Sequence, residues 1–377
     1  MTREQFLNDL SAALSGMKEE EREGVVSYYA EMIDDRMEAG MSEEAAVKAM
    51  EPVQVIAGRV LEEAGMGETK EKPKEKGNWQ EITRPADAVQ MLRIQAENKR
   101  VRITSDEETD QISLRYCIGD NDIFRLHEDE GVLTLEHKLR PINSFVNERG
   151  SDSFSLESIL SGIGKFIAGL GERVVNGGMF SYEAPENEIE ITVPKTFAAR
   201  LEAATSNARI LAEDITFAQA VKLTTSNAFI QAENVNCAQQ LTCTTSNSRI
   251  VMNDVNVDGA RLSTSNGRIT LDDMIVRGGL TAVNSNGSIK ISDCQIGGAL
   301  NATTSNGAIE VAESACPELT LKTSNGSIGG TLKGKREEYT VVSRTSNGSN
   351  QLGSFGEGEK KLTAITSNAS ITLKFAE

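Results

Sequence analysis

The feature that most constrains the fold is a Ser-Asn motif that recurs at nine nearly regular positions in the second half of the chain. Successive motifs are 19 to 22 residues apart, and their asparagines are Asn207, Asn227, Asn247, Asn266, Asn286, Asn306, Asn325, Asn347 and Asn368. Near-constant spacing of this length is typical of solenoids, in which each repeat is one coil that stacks on its neighbour. We therefore predict that the fold is built around one stack of coils.

Apolar residues alternate with polar ones on both sides of each repeated asparagine. They occupy the sixth and fourth positions before it and the third and fifth positions after it. The third position after it is Ile in eight coils and Asn350 in the other, and the second position before it is Thr in eight coils and Asn284 in the other. Alternation with a period of two is typical of strands that bury one face, whereas a helix would repeat at three and four residues.

Three such strand segments fit into each coil, and stacked parallel strands lie about 4.8 Å apart. The sequence therefore predicts an all-β domain at residues 201–377. We expect a parallel β-solenoid, that is, a single-stranded β-helix of about 20 residues per coil, whose coils form a rod of about 43 Å. It is expected to be right-handed, because crossovers between parallel strands usually are.

The Ser-Asn motif has a structural interpretation and a functional one. Asn tolerates a left-handed backbone and bonds nearby backbone groups, so the motif suits a corner between two strands. Stacked amides would also bond to one another along the rod as a ladder. The alternative is a polar stripe that recognises a repetitive ligand. The alternation places Asn and the preceding Thr on the inward-facing side, which favours the structural interpretation.

Composition and charge agree with a slim, acidic solenoid, since 38% of the residues are hydrophobic and only 5% are aromatic. The net charge of −17 argues against direct contact with nucleic acid, because phosphate binding requires clustered Lys and Arg. The five cysteines form no C-x-x-C pair. Three of them (Cys237, Cys243 and Cys294) fall at inward positions, as expected of small apolar residues in a reducing compartment.

Nothing in the sequence indicates export or a membrane span. Residues 1–10 have no apolar signal-peptide core, and no apolar run approaches the roughly 18 residues of a spanning helix. We therefore expect a cytoplasmic protein, with peripheral contact at a membrane surface as the alternative. The oligomeric state is not indicated.

The first 65 residues predict a small all-α domain of four helices. Thr2 and Gln5 form a capping box before an apolar helical pattern, and Ser42 is a second cap. The segment has 15 acidic and 6 basic residues, a net charge of −9. Its acidic face is either simply solvated or a docking surface for a basic partner.

This segment resembles the HAAS-type helical domain of bacterial membrane and signalling proteins. The resemblance rests on Phe6 to Leu10, Tyr29-Ala30-Glu31, Gly40-Met41-Ser42-Glu43-Glu44, and Pro52 followed by Val55-Ile56-Ala57. In that family the domain usually precedes transmembrane helices, and its genes often lie beside those of PadR-type transcriptional regulators. The resemblance implies envelope-linked signalling, with a PadR-type regulator or an envelope component as the protein partner.

The region between the two domains has two parts. Residues 66–78 are charged and interrupted by Pro and Gly, which predicts a flexible linker. Residues 79–200 predict an irregular β part that caps the solenoid, with candidate strands at 92–96, 101–104, 111–116, 132–137 and 189–193. Their pairing is not indicated. Residues 101–106 look like a degenerate coil, as expected where a solenoid is capped.

Residues 154–174 interrupt this region with an amphipathic helical pattern. The apolar face includes Leu160, Ile163, Phe166 and Ile167, but four glycines make the segment a poor isolated helix. We expect this face to pack on the protein itself or across a dimer, with contact at a membrane surface as the alternative.

From Trp79 onward the chain resembles the toastrack-like family, bacterial adhesin-type repeat domains of unknown function. The resemblance rests on the Ser-Asn-Gly/Ala-x-Ile repeat and on Ile189-Glu190-Ile191-Thr192-Val193-Pro194 before it. It implies the β-solenoid architecture and no particular chemistry.

Parallel β-solenoids include polysaccharide lyases, so an enzyme is one hypothesis. A lyase or hydrolase needs paired carboxylates or a base in a cleft, often with aromatic platforms for sugars. The only histidines, His127 and His137, lie in an alternating, charged strand pair and are expected to be exposed. No phosphate loop, zinc spacing or nucleophile elbow occurs, so we expect neither enzyme activity nor a cofactor.

One acidic column has binding potential. The seventh position after the repeated asparagine has an oxygen-bearing side chain in six successive coils: Asp214, Asn234, Asp254, Asp273, Asp293 and Glu313. Stacked oxygen ligands can hold Ca²⁺, which makes the four aspartates candidate calcium ligands. The glycine-rich calcium-repeat motif is absent, and Asp and Asn favour turns for backbone reasons alone. A turn is therefore the preferred interpretation.

The leading hypothesis is a non-enzymatic bacterial scaffold linked to cell-envelope signalling or regulation. In it the helical domain docks a protein partner and the solenoid offers a binding surface. An adhesin-like surface-binding module is the alternative, and it would require an export signal that residues 1–10 lack. A carbohydrate-active solenoid enzyme is a remote third hypothesis.

Overall fold

The computed structural model describes residues 2–17, 42–48, 77–140 and 187–376, together with residues 22, 25, 26, 29, 30, 33, 50, 53, 54, 56 and 57. The chain divides into two compact units, one with the N-terminal helices and one with the strands. The predicted linker, except for Gly77 and Asn78, and the amphipathic segment 154–174 lie outside the described residues. Most of the second and fourth predicted helices do so as well.

The helical unit begins with the predicted capping box. Helix α1 spans Arg3–Ala13, the Thr2 hydroxyl accepts from the Gln5 N–H, and the Gln5 side chain accepts from the Thr2 N–H. Helix α2 spans Glu43–Lys48, and Ser42 Oγ accepts from the Ala45 N–H at 3.4 Å. The apolar side chains of this unit share one small core, which includes Phe6, Leu10, Leu14, Ile33 and Ile56.

The β unit contains 24 strands within the described residues. Those before the regular coils are β1 (Trp79–Pro85), β2 (Met91–Ala96), β3 (Arg100–Asp106), β4 (Gln111–Cys117), β5 (Asp122–Asp129), β6 (Val132–Leu139), β7 (Glu188–Pro194) and β8 (Thr196–Phe197). Those of the first coils are β9 (Arg200–Thr205), β10 (Ile210–Phe217), β11 (Val221–Thr224), β12 (Ile230–Thr244), β13 (Ile250–Ser263), β14 (Ile269–Val276), β15 (Leu280–Val283) and β16 (Ile289–Ser292). The remainder are β17 (Gln295–Ile296), β18 (Ala299–Thr303), β19 (Ile309–Ser314), β20 (Glu318–Lys322), β21 (Ile328–Lys333), β22 (Tyr339–Arg344), β23 (Lys360–Ile365) and β24 (Ile371–Ala376).

These strands confirm the parallel β-solenoid. Segments before the repeated asparagine stack on one another in parallel, and segments after it form a second parallel column. In the second column the Ile three residues after each asparagine pairs with the Ile of the next coil: Ile210, Ile230, Ile250, Ile269, Ile289, Ile309, Ile328 and Ile371. All eight are fully buried. The handedness of the coil stays a prediction.

The last two coils stack in the reverse of their sequence order. Strand β23 pairs with β20 on one side and with β22 on the other, so the coil of Asn368 lies between those of Asn325 and Asn347. The coil of Asn347 is therefore the terminal one, although it is not the last in the chain. The regular spacing of the motif gives no sign of this exchange.

The opposite end of the stack has an antiparallel cap. Strands β1, β4 and β7 form an antiparallel sheet that joins the stack through the parallel pair β7–β3. The hairpin β5–β6 joins it through the parallel pair β6–β2. Because β3 also pairs in parallel with β10, residues 101–106 belong to a coil, as predicted. Strands β1 and β8 were not predicted, and β5 was predicted only as the strand of His127, without bounds.

Candidate interaction surfaces

The repeated asparagines form a continuous ladder along one corner of the solenoid. Each donates its Nδ2 to the Oδ1 of the next asparagine in the stack at 2.5–2.7 Å, from Asn347 at one end to Asn207 at the other. Asn98 extends the ladder by accepting from Asn207. The ladder was predicted, but its inward-facing position was wrong: apart from the half-buried Asn207, the nine side chains are exposed. The corner turns the chain so that the amides line up outside the core.

The threonines two positions earlier do face inward, and the structure shows their role. Thr304 Oγ1 donates to the Gly287 carbonyl of the preceding coil at 3.2 Å, and the equivalent bond recurs at Thr245, Thr264 and Thr323. Where Asn284 replaces Thr, its Nδ2 donates to the Gly267 carbonyl at 2.6 Å. Thr and Asn both donate a hydrogen bond to this carbonyl, which accounts for the two residue types found at the position.

Replacing Asn286 by Ala is expected to lower the free energy of unfolding by about 1–2 kcal/mol. The change removes two ladder bonds, the one that Asn286 donates to Asn266 and the one that it accepts from Asn306. Chemical denaturation of the full chain measures the loss. The control is Ser285→Ala at the neighbouring exposed position, expected within about 0.5 kcal/mol of wild type. Equal losses in the two variants would show that the ladder has no stabilising role.

The acidic column occupies a sharp backbone turn. Asp214, Asn234, Asp254, Asp273, Asp293 and Glu313 all have positive φ angles, between 44° and 55°. This is the left-handed region that Asp and Asn tolerate best, which supports the turn interpretation. Asn234 donates its Nδ2 to Asp214 Oδ1 at 2.6 Å. In the described part of the chain no group of three or more acidic, His or Cys side chains is arranged to hold a metal ion, and calcium binding by the four aspartates stays untested.

His137 is buried, which corrects the prediction that both histidines are exposed. His127 is exposed, but only 1% of His137 is accessible, because its ring faces the cap interior and packs against Phe124. His137 Nδ1 accepts from the Glu97 N–H at 3.2 Å, so Nε2 carries the proton and donates to Asp122 Oδ1 at 3.0 Å. The ring therefore has no nitrogen left for acid–base chemistry.

Asp122 is the centre of this buried cluster. Its Oδ2 is 2.6 Å from Lys99 Nζ, and it also accepts from the Gly119 N–H at 2.9 Å. Burial alone would raise the pKa of Asp122, but the hydrogen bonds from His137, Lys99 and the Gly119 N–H outweigh it and lower the pKa to about 2. The cluster fixes hairpin β5–β6 to the end of the solenoid.

The cysteines behave as small apolar residues, as predicted for three of them. None of the five forms a disulfide bond, and all five are buried. Burial raises the pKa of the Cys294 thiol to about 11 and that of Cys316 to about 12, and it also raises the pKa of Cys237 and Cys243. Such thiols are poor nucleophiles at neutral pH.

The predicted membrane or dimer contact at Leu160, Ile163, Phe166 and Ile167 lies outside the described residues. None of the helices that the structure does describe has the length and apolar character needed to cross a bilayer.

A groove at the terminal coil was not predicted from the sequence. It has a volume of about 580 Å³, and its lining includes Lys335, Arg336, Leu352, Leu373, Lys374 and Phe375. The signal that marks it is one exception to the repeat, Asn350 in place of Ile.

Comparison with protein families agrees with this architecture. The family model described as Toastrack DUF4097 matches residues 89–374, which is most of the chain. The chain belongs to the Toastrack family. The model described as HAAS matches residues 5–58, so the N-terminal resemblance is confirmed as well. The Toastrack match includes the cap strands from β2 onward and all nine coils of the ladder.

Two solved structures resemble the Toastrack chain at low sequence identity. One, from Clostridium sporogenes, is described as a proposed cell adhesion protein; it is 11% identical, and the match covers 80% of this chain and 100% of that one with a TM-score of 0.22. The other, from Bacteroides fragilis, is described as a proposed adhesin; it is 10% identical, and the match covers 81% and 98% with a TM-score of 0.23. Comparison with curated proteins gave no match.

Proposed function

We propose that the protein is a non-enzymatic interaction scaffold of bacterial envelope signalling, in which the helical unit docks a protein partner and the Toastrack solenoid presents a second binding surface. The observation that carries the proposal is the combination in one chain of a HAAS match at residues 5–58 with a Toastrack match at residues 89–374. The partner of the helical unit would be a PadR-type regulator or an envelope component, and the site of action would be the cytoplasm.

Charge supports a docking role for the helical unit. Residues 1–65 have a net charge of −9 out of −17 for the whole chain. Glu4, Asp9 and Glu44 are exposed on its described helices. An acidic surface of this kind favours association with a basic protein surface and disfavours nucleic acid.

The ladder corner is the proposed surface of the solenoid. We define the corner strip as the residues from the third before to the second after each repeated asparagine. In all nine coils the strip contains no Asp or Glu, whereas it does contain Arg209, Arg249, Arg268, Lys322 and Arg344. Each ladder amide uses one N–H and one oxygen lone pair within the ladder and keeps another of each for a partner. The strip therefore offers regularly spaced polar groups to an elongated partner, free of the acidic charge found elsewhere on the chain.

The test is in-cell crosslinking of the tagged full chain, followed by identification of the crosslinked proteins. We expect the triple variant Glu4→Lys, Asp9→Lys and Glu44→Lys to lose one specific protein that wild type captures. The variant Arg249→Glu with Arg268→Glu should keep that protein and lose a different, envelope-derived component. Identical capture by all three chains would contradict the scaffold. Recovery of the chain at the cell surface in fractionation would favour the adhesin-like alternative.

A further inference from the structure

The terminal coil leaves one edge of the second strand column uncovered. In the other coils the residue three positions after the repeated asparagine is Ile and begins a strand, but in the terminal coil it is Asn350. Asn350 Oδ1 accepts from the N–H groups of Leu352 and Gly353, at 3.2 and 3.1 Å, and its Nδ2 donates to the Ser343 carbonyl at 3.1 Å. These bonds turn the chain away after a one-residue bridge to Ile371. The diverted chain then covers β22 instead, where Phe355 and Val341 exchange backbone hydrogen bonds.

Strand β24 consequently has backbone groups that point outward. It pairs with β21 on one side. On the other side, within the described residues, only Ile371 is bonded, to the Ser349 carbonyl and the Gln351 N–H. Alternate residues of a parallel strand direct their N–H and C=O to the same side, so those of Leu373 and Phe375 point the same way as those of Ile371. No strand in the described part of the chain pairs with them. Two N–H and two C=O groups thus have no strand partner among the described residues and can bond an added strand.

The groove beside this edge is apolar at its base and basic at its rim. Leu352, Leu373 and Phe375 supply the apolar surface. Lys335, Arg336 and Lys374 are exposed at the rim, and Glu337 is the one acidic residue in the lining that the structure describes. The described lining residues have a net charge of +2, whereas the whole chain has a net charge of −17. This lining is complementary to an acidic ligand.

Aromatic packing holds the edge in place. The Phe375 ring lies 5.0 Å from Tyr339 and 6.1 Å from Phe355, and the Arg336 guanidinium stacks 3.8 Å over Phe355. Tyr339 donates its hydroxyl to the Lys333 carbonyl at 2.8 Å. An edge that is already ordered loses little conformational entropy when it gains a strand, which favours binding.

We propose that the β24 edge is a docking site for an extended acidic segment of a partner protein, which adds to the solenoid as one further strand. In this mode backbone hydrogen bonds supply the affinity and alternate side chains the specificity. Apolar side chains of the segment would enter the groove over Leu373 and Phe375, and acidic ones would lie beside Lys374 and Arg336. A second copy of this chain fits less well, because antiparallel pairing about Lys374 would place the lysines of both copies side by side. This site is separate from the surfaces of the proposed function and does not depend on them.

The experiment uses fluorescence anisotropy of the full chain with dye-labelled synthetic peptides of eight residues. The first peptide alternates Val and Glu, and the second alternates Val and Lys. We expect only the glutamate peptide to bind. Lys374→Glu should weaken that binding by about tenfold or more, because it replaces an attractive charge with a repulsive one. The matched control is Lys290→Glu, since Lys290 is also exposed but lies on β16, which has a strand on each side.

Two N-methylated versions of the glutamate peptide test the backbone bonds. One is methylated on its Glu residues and the other on its Val residues, and each lacks the N–H donors of one strand edge. We expect one of the two peptides to lose binding. The identity of that peptide shows whether the segment pairs with β24 in the parallel or the antiparallel direction. The proposal is overturned if the glutamate peptide does not bind, if the lysine peptide binds equally, or if neither methylation matters. A dimer in sedimentation that the glutamate peptide dissociates would assign the edge to a second copy instead.

Discussion

Lys99→Met is expected to lower the free energy of unfolding of the β unit by about 3–5 kcal/mol. Lys99 Nζ and Asp122 Oδ2 are 2.6 Å apart, and each side chain is only 7% exposed. The substitution keeps most of the length of the side chain but leaves the Asp122 carboxylate buried without its cation. Urea unfolding followed by the fluorescence of Trp79, the only tryptophan, reports on the cap directly, because Trp79 begins β1.

The control for this variant is Lys138→Met. Lys138 also forms an ion pair, with Glu136 at 2.7 Å, but its side chain is 55% exposed, so the loss should stay within about 1 kcal/mol. The lowered pKa of Asp122, about 2 against an ordinary value of 3.8, adds a pH criterion. A carboxyl group whose pKa is lower in the folded chain than in the unfolded chain stabilises the fold at any pH above the unfolded-chain value. This contribution is lost as the pH falls through the folded-chain value. The difference in free energy of unfolding between wild type and Lys99→Met should therefore become smaller as the pH falls from about 4 to 2. A difference that does not change with pH would contradict the role given to Asp122.

Ile289→Ala is expected to cost about 2–5 kcal/mol, since it removes three buried carbon atoms from the middle of the isoleucine column. Ile289 is fully buried and pairs with Ile269 below it and Ile309 above it. In a solenoid each coil contacts only its neighbours, so the cavity weakens both of its interfaces. Hydrogen exchange measures this locally, and amides of β14, β16 and β19 should lose protection more than those of β2 and β6.

The control for the isoleucine column is Ile275→Ala on β14. Ile275 is 43% exposed on the outer surface, so the free energy of unfolding should fall by only about 0.5 kcal/mol. Uniform loss of protection along the whole stack in Ile289→Ala would show that the β unit unfolds as one cooperative body rather than coil by coil. An unchanged exchange pattern would contradict the contribution assigned to the column.

The regular part of the fold could be predicted because each side chain reports its own environment. The alternation around Asn286 identifies the strands and their buried faces, and the fixed period identifies the neighbour of each Ile in the stack. The position of the asparagines was mistaken for a different reason. Alternation assigns a side only within a strand, and Asn286 lies in a corner where the chain turns.

The cap and the terminal coil could not be predicted in the same way. His137 lies between the charged residues Glu136 and Lys138 in sequence, which suggests an exposed strand. Asp122 and Lys99 are brought to it from β5 and from the turn before β3, and the local sequence pattern does not show such long-range contacts. Asn350 was visible as an exception to the repeat. Its consequence for β24 depends on where the following residues go, which only the tertiary structure determines.

The reversed order of the last two coils bears on how the chain is made. As translation proceeds, β20 and β22 both leave the ribosome before β23 does, so β22 is the first segment available to the exposed side of β20. In the native structure that place belongs to β23. Co-translational growth of this stack therefore cannot run one coil at a time to the end: the final two coils either wait and assemble together or exchange places once β23 has emerged.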